Sequence, residues 1–149
     1  MRYYNYDIVF QEVPDEVSLA INLTNCPNHC EGCHSPHLWE DTGTPLDEAE
    51  LEQLAQKYTG SITCVCLMGG DRERGEVERL AKFIKTRLSL KAAWYSGRNE
   101  MPTASEAFDY VKLGPYMPSK GSLKDRTTNQ RMYRREPDGW KDITERFWR

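Results

Sequence analysis

Three cysteines within eight residues carry the most distinctive chemistry of this chain: Cys26-Pro27-Asn28-His29-Cys30-Glu31-Gly32-Cys33, spaced C-x3-C-x2-C. Paired as disulfides they would leave one sulfur over. Soft thiolates this close together suit zinc or an iron–sulfur centre. Structural zinc sites and cubane clusters usually take four protein ligands. Three thiolates alone would hold a 4Fe-4S cluster with one iron open to a cofactor. Two other readings stay open on spacing alone: a zinc site completed by His29, His34 or His37, or three unrelated buried cysteines. The histidines could also pack on a cluster or donate a hydrogen bond to its sulfur.

Three further groups can do chemistry. Met68-Gly69-Gly70-Asp71 follows a β-prone run, and paired glycines let backbone amides and carbonyls approach a ligand closely. Tyr95-Ser96-Gly97 repeats that arrangement after the next predicted strand, and Lys112 lies near the end of the one after. Gly-Gly after a strand is by itself often only a turn, but three successive strand ends of this kind would line one pocket. Cys64 and Cys66, two apart on a predicted strand, share a face and read as core packing rather than as ligands.

The elements that must position these groups follow from periodicity. Ile8 to Val13 and Val17 to Leu23 read as strands separated by the turn Pro14-Asp15-Glu16. The second delivers the chain to the cysteines. Leu46 to Tyr58 reads as a helix, with acids in its first turns and Leu51, Leu54, Ala55 and Tyr58 at helical spacing. Ser61 to Met68 reads as a strand and Glu76 to Leu88 as a helix with an apolar stripe. Lys91 to Tyr95, a helical turn at 103–108, and Phe108 to Leu113 as a strand complete the series. Alternation of this kind predicts an α/β fold with a parallel sheet. A closed eight-stranded barrel needs about 250 residues, so the expectation is an open, partial (β/α) barrel. The whole chain reads as one domain, with an α/β core over 1–115. Residues 116–149, rich in Arg, Lys, Asp, Pro and Gly, are expected to be an irregular segment packing its aromatics on the core. Its basic residues (Lys120, Lys124, Arg126, Arg131, Arg134 and Arg135) read as a solvated face or a docking surface.

Composition narrows the function. The 149 residues carry a net charge of −3, which gives no general attraction to nucleic acid or anionic membranes. No apolar run reaches the roughly 20 residues of a membrane span. Five cysteines, an odd number, with no apolar leader before them, point to a reducing cytoplasm.

C-x3-C-x2-C after an early strand, with a Gly-Gly-acid motif after a later one, resembles the radical S-adenosylmethionine (SAM) superfamily. Gly32-Cys33-His34, Tyr95-Ser96-Gly97, Lys112-Leu113-Gly114-Pro115 and Thr127-Thr128-Asn129-Gln130 narrow the resemblance. They are similar to the activating proteins of anaerobic (class III) ribonucleoside-triphosphate reductases, over nearly the whole chain. One departure is Asp71, where many relatives carry Glu. The resemblance implies that Cys26, Cys30 and Cys33 bind a 4Fe-4S cluster whose open iron SAM chelates. It implies that Gly69, Gly70 and Asp71 hold the SAM amino group, that Ser96 and Gly97 border the cofactor, and that Lys112 pairs with its carboxylate. Reductive cleavage would give a 5′-deoxyadenosyl radical, which takes hydrogen from a glycine of the reductase. No catalytic side chain beyond the cluster and SAM is implied. The partners would be the glycyl radical subunit of the reductase and an electron donor such as a flavodoxin. An activator of another glycyl radical enzyme, a small-molecule radical SAM enzyme, a non-catalytic iron–sulfur electron carrier and a zinc-binding module are the alternatives.

Overall fold

The computed structural model describes residues 1–24 and 42–148. The N-terminal hairpin pairs β1 (Arg2–Val9) with β2 (Ser18–Leu23) in antiparallel register. β1 starts earlier than the aliphatic pattern suggests, because Tyr3, Tyr4 and Tyr6 are strong strand residues. Phe10 to Val13, assigned to a strand by its composition, bends instead. Val13 thereby folds back into the core at 1% exposure.

From β2 the chain passes through the cysteine-bearing residues to β3 (Thr44–Pro45), which pairs with β1, and then to α1 (Glu48–Gln56). Asp47 caps α1 by accepting a 2.9 Å bond from the Glu50 N–H, which makes the helix shorter than its hydrophobic pattern. Then follow β4 (Cys64–Met68), α2 (Arg74–Thr86), β5 (Lys91–Tyr95) and β6 (Tyr110–Leu113), with a 3₁₀ turn at Ser105–Ala107 before β6. β2, β4, β5 and β6 are mutually parallel. These alternating elements lie where periodicity predicts them, within a few residues.

The C-terminal segment differs from the expectation. β7 (Arg131–Glu136) and β8 (Gly139–Asp142) extend the sheet as an antiparallel hairpin next to β6. Pro137-Asp138 is its two-residue loop, and Asp-Gly at its end is a hairpin signal that composition obscured. Charged residues suit strands at a sheet edge. Arg131 pairs with Asp142 at 3.8 Å and Arg134 with Glu136 at 2.8 Å. Arg135 Nε donates to the Phe108 carbonyl at 2.8 Å, so the first two serve the hairpin itself and the third ties it to the chain just before β6.

The result is one mixed sheet in the order β3-β1-β2-β4-β5-β6-β7-β8. One face, with Leu19, Ile21, Val65, Leu67, Trp94 and Val111, packs against Leu51 and Leu54 of α1 and Val77, Leu80 and Ile84 of α2. The other carries Cys64, Cys66, Ala93, Tyr110 and Met132, and is covered by Val13, Leu123, Ile143 and Phe147. The C-terminal segment is therefore a layer of the core. Glu16, buried beneath that layer, ties the N-terminal ends of the strands together. It accepts bonds from Thr63 Oγ1 (2.7 Å), Lys91 Nζ (2.8 Å) and the Tyr110 hydroxyl (2.8 Å). Among the described residues, no helix is long and apolar enough to cross a membrane.

Met132 on β7 is fully buried against this second face. Met132→Ala is expected to lower unfolding stability by about 2–5 kcal/mol, measured by denaturant titration. A loss under about 0.5 kcal/mol, the size of an ordinary surface change, would show that the C-terminal layer adds little to the core.

Candidate functional site

Four parallel strands end on one row. Asn22 of β2, Met68 of β4, Tyr95 of β5 and Lys112 of β6 are successive register partners. The loops that follow these strands therefore leave from the same edge of the sheet, where ligands gather in α/β folds.

The segment that follows β2 in sequence carries Cys26, Cys30 and Cys33, with His29, His34 and His37. All six lie outside the described residues. Both ends of the segment are anchored. Thr24 donates its N–H to the Arg2 carbonyl at 3.0 Å, and its hydroxyl to the Thr42 carbonyl at 2.6 Å. Gly43 then turns at φ +107°, where a Cβ would sit 2.2 Å from the Tyr3 carbonyl oxygen. Only glycine fits that re-entry point.

The second loop is Gly69-Gly70-Asp71. Gly69 donates its N–H to the Tyr95 carbonyl at 2.9 Å and accepts at 2.7 Å from the indole Nε1 of buried Trp94. Gly70, at φ +86°, faces Val77 and Leu23 so closely that a Cβ would lie 2.5 Å and 2.9 Å from their side chains. The chain then enters a 3₁₀ turn at Asp71–Glu73 and continues into α2. That direct entry is why the helix starts at Arg74 rather than Glu76.

The third and fourth loops are bonded to the second. Asp71 is buried, and its carboxylate accepts from the Ser96 hydroxyl (2.5 Å), the Gly97 N–H (2.8 Å) and Arg74 Nη1 (3.0 Å). Arg74 also donates to Ser96 Oγ (3.2 Å) and to the Glu100 carbonyl (2.8 Å), and its guanidinium lies 4.5 Å from the centre of the Trp94 ring. Lys112, buried at the end of β6, donates from Nζ to the carbonyls of Ser96 (3.1 Å) and Gly114 (3.0 Å). Its ammonium is 5.5 Å from the Tyr95 ring centre. Burial raises the Tyr95 phenol well above its usual range, so it stays neutral and donates to the Glu12 carbonyl.

Gly69, Gly70, Asp71, Ser96, Gly97 and Lys112 are thus brought together as one bonded set. Asp71 and Lys112 use much of their bonding capacity to link strand ends to one another. Arg74 belongs to the set although no sequence motif marks it. Its i,i+3 spacing from Asp71 is the signal that could have found it. Thr127-Thr128-Asn129-Gln130 joins the set at β6. Asn129 Nδ2 donates to the Pro115 carbonyl at 3.0 Å, and Gln130 Nε2 to the Gly114 carbonyl at 3.4 Å.

Cys64 and Cys66 are free and fully buried on the second face of the sheet. Burial pushes the Cys64 thiol up to about 12 and that of Cys66 well above its usual value. Neither thiolate forms readily there, which suits packing rather than ligation.

Residues 17–107, more than half of the chain, match the family model described as a 4Fe-4S single cluster domain. That span covers β2, the three-cysteine run, and the loops that follow β4 and β5. No curated protein and no solved structure matches the chain.

Replacing Cys64 and Cys66 together by Ala is expected to leave the iron and sulfide content of the reconstituted protein unchanged; loss of the cluster would make one of them a ligand. The Cys64 thiol has a raised folded-state value, so its contribution to stability is complete below the unfolded value of 9.0 and declines as pH rises toward about 12. Cys64→Ala is expected to flatten that part of the stability–pH curve, followed by denaturant unfolding across the alkaline range. An unchanged slope would contradict the burial assigned to this thiol.

Proposed function

The chain belongs to the 4Fe-4S single cluster domain family, and from that premise we propose that it is a radical SAM activating enzyme. Its substrate is the glycyl radical subunit of an anaerobic ribonucleoside-triphosphate reductase. Cys26, Cys30 and Cys33 ligate the cluster. The sheet is an open partial (β/α) barrel, and the loops holding Gly69, Gly70, Asp71, Ser96, Gly97 and Lys112 border SAM. A flavodoxin-type protein donates the electron.

One observation carries this reading. The three loops after β4, β5 and β6 are hydrogen-bonded to one another, on the edge where the anchored three-cysteine segment leaves β2. The residues at that edge fit the cofactor. Lys112 carries a buried ammonium, bonded to the Ser96 and Gly114 carbonyls, whose charge suits a carboxylate-bearing ligand. Together, a bound cluster and SAM supply reductive carbon–sulfur cleavage and hydrogen abstraction from glycine. The chain's own residues hold and orient. Asp71 and Arg74 set the spacing between the loops after β4 and β5, while Lys112 ties the loop after β5 to that after β6.

The test mixes reduced, cluster-loaded protein with the reductase and SAM under strict anaerobiosis. A glycyl radical signal by electron paramagnetic resonance (EPR) on the reductase is the expected result. An intact cluster that responds to SAM but leaves no radical on the reductase would contradict this choice of partner.

A further inference from the structure

With the hairpin arginines accounted for, three bases of the C-terminal segment are left without an acidic partner. Lys120, Lys124 and Arg126 are exposed in the loop that runs from β6 to β7. Among the described residues none of them forms an ion pair. Between Tyr116 and Thr128 these bases face a single acid, Asp125, in a chain whose net charge is −3. Asp125 is engaged within the loop, where its carboxylate accepts the Ser122 N–H at 2.9 Å. The loop is thus a local reversal of the charge of the whole chain.

Its backbone is a built platform. Asn129 closes the base, since its Nδ2 donates to the Pro115 carbonyl at 3.0 Å. Lys120 and Gly121 both donate their N–H groups to the Met117 carbonyl at 2.9 Å, and the Thr127 hydroxyl donates to the Lys120 carbonyl at 2.7 Å. Leu123 is buried in the second core layer, and its carbonyl accepts from Trp148 Nε1 at 3.0 Å. The same indole carries the Arg126 guanidinium, 5.7 Å from its ring centre. Docking on this frame has little loop ordering to offset. Met117, 41% exposed, adds one apolar contact beside the cations.

Position and size choose the partner. β6 ends on the row from which the chain leaves β2 toward the three cysteines, three strands away in the sheet. That is about 14 Å at roughly 4.8 Å per strand. A weak redox contact buries up to about 600 Å² a side, a patch roughly 28 Å across, which spans that distance. Three cations beside a single methionine suit a brief, charge-steered contact of this kind. A stable complex uses a larger and more apolar face.

We propose that the 117–127 loop docks an acidic electron-donor protein, with Lys120, Lys124 and Arg126 meeting its carboxylates. The assignment rests on the reading above that a protein supplies the cluster's electron, and not on SAM. In the docked pair one electron passes from the donor's reduced flavin to the cluster. The flavin is oxidised by one electron and the cluster reduced by one. The cations act on the encounter, raising its rate and making it salt-sensitive.

The test uses the cluster-loaded full chain and a flavodoxin. It measures affinity for the oxidised flavodoxin by calorimetry, and the stopped-flow rate of cluster reduction by the reduced one. Lys120→Glu/Lys124→Glu is expected to weaken both about five- to tenfold at low ionic strength. It should also flatten their salt dependence, and leave reduction by dithionite, which needs no docking, unchanged. Lys82→Glu/Arg87→Glu, the same charge change at exposed positions near the end of α2, is expected to stay within about twofold of the wild type. Unchanged donor affinity and rate in the Lys120/Lys124 variant overturn the assignment, and so do equal losses in both variants. A Lys120/Lys124 variant that keeps both donor readouts but loses binding to the reductase overturns it too, and gives the loop to the reductase. A wild-type cluster that flavodoxin neither binds nor reduces overturns the donor reading, and this assignment with it. A cluster reduced through the loop but indifferent to SAM overturns the SAM reading and leaves the docking site standing.

Discussion

The parallel register of β2, β4, β5 and β6 is the constraint on which the rest of the molecule depends. It sets Asn22, Met68, Tyr95 and Lys112 on one row, so residues far apart in sequence leave the sheet at one level. A slip by one residue in any pairing would turn that strand's core face outward. The alternation of large apolar groups on the helix face with small groups and thiols on the other opposes such a slip. Ile21, Leu67 and Trp94, each fully buried and in register with the next, form the last large row beneath the edge. Chemistry at the edge is thus secured by packing below it.

The edge is reinforced by side chains that serve structure first. Asp71 spans from the loop after β4 to that after β5, Lys112 from β6 to both neighbouring turns, and Arg74 stacks on Trp94 while bonding three partners. Such bonds are charge-assisted and partly shielded from water, which makes them stronger than exposed pairs. A site built on rigid strand ends holds its groups closer to a working geometry than one built on free loops. At the opposite end of the sheet, Glu16 gathers Thr63, Lys91 and Tyr110 in the same manner.

Much of this was legible in the sequence. The spacing of the three-cysteine run narrows its chemistry to a few readings, and the family match agrees with the iron–sulfur one. Helices α1 and α2 and strands β4, β5 and β6 follow from apolar periodicity, and the strand-end turns from Gly, Ser and Asp. The tyrosine-rich start of β1 was hidden by its polar neighbours. The hairpin of β7 and β8 was hidden by arginines, whose charge belongs to edge strands as readily as to loops. Which strand-end groups would bond to one another was not legible, because Asp71, Ser96 and Lys112 meet only through the tertiary register.

The central claim is the proposal that three thiolates hold a cluster whose open iron takes SAM at this edge. Its most direct test is anaerobic reconstitution with iron and sulfide, followed by reduction and low-temperature EPR with and without SAM. The expected result is a reduced cubane signal that changes when SAM is added, and that is lost when Cys26, Cys30 or Cys33 is replaced by Ala. Bound zinc without sulfide, or a cluster signal indifferent to SAM, would contradict it.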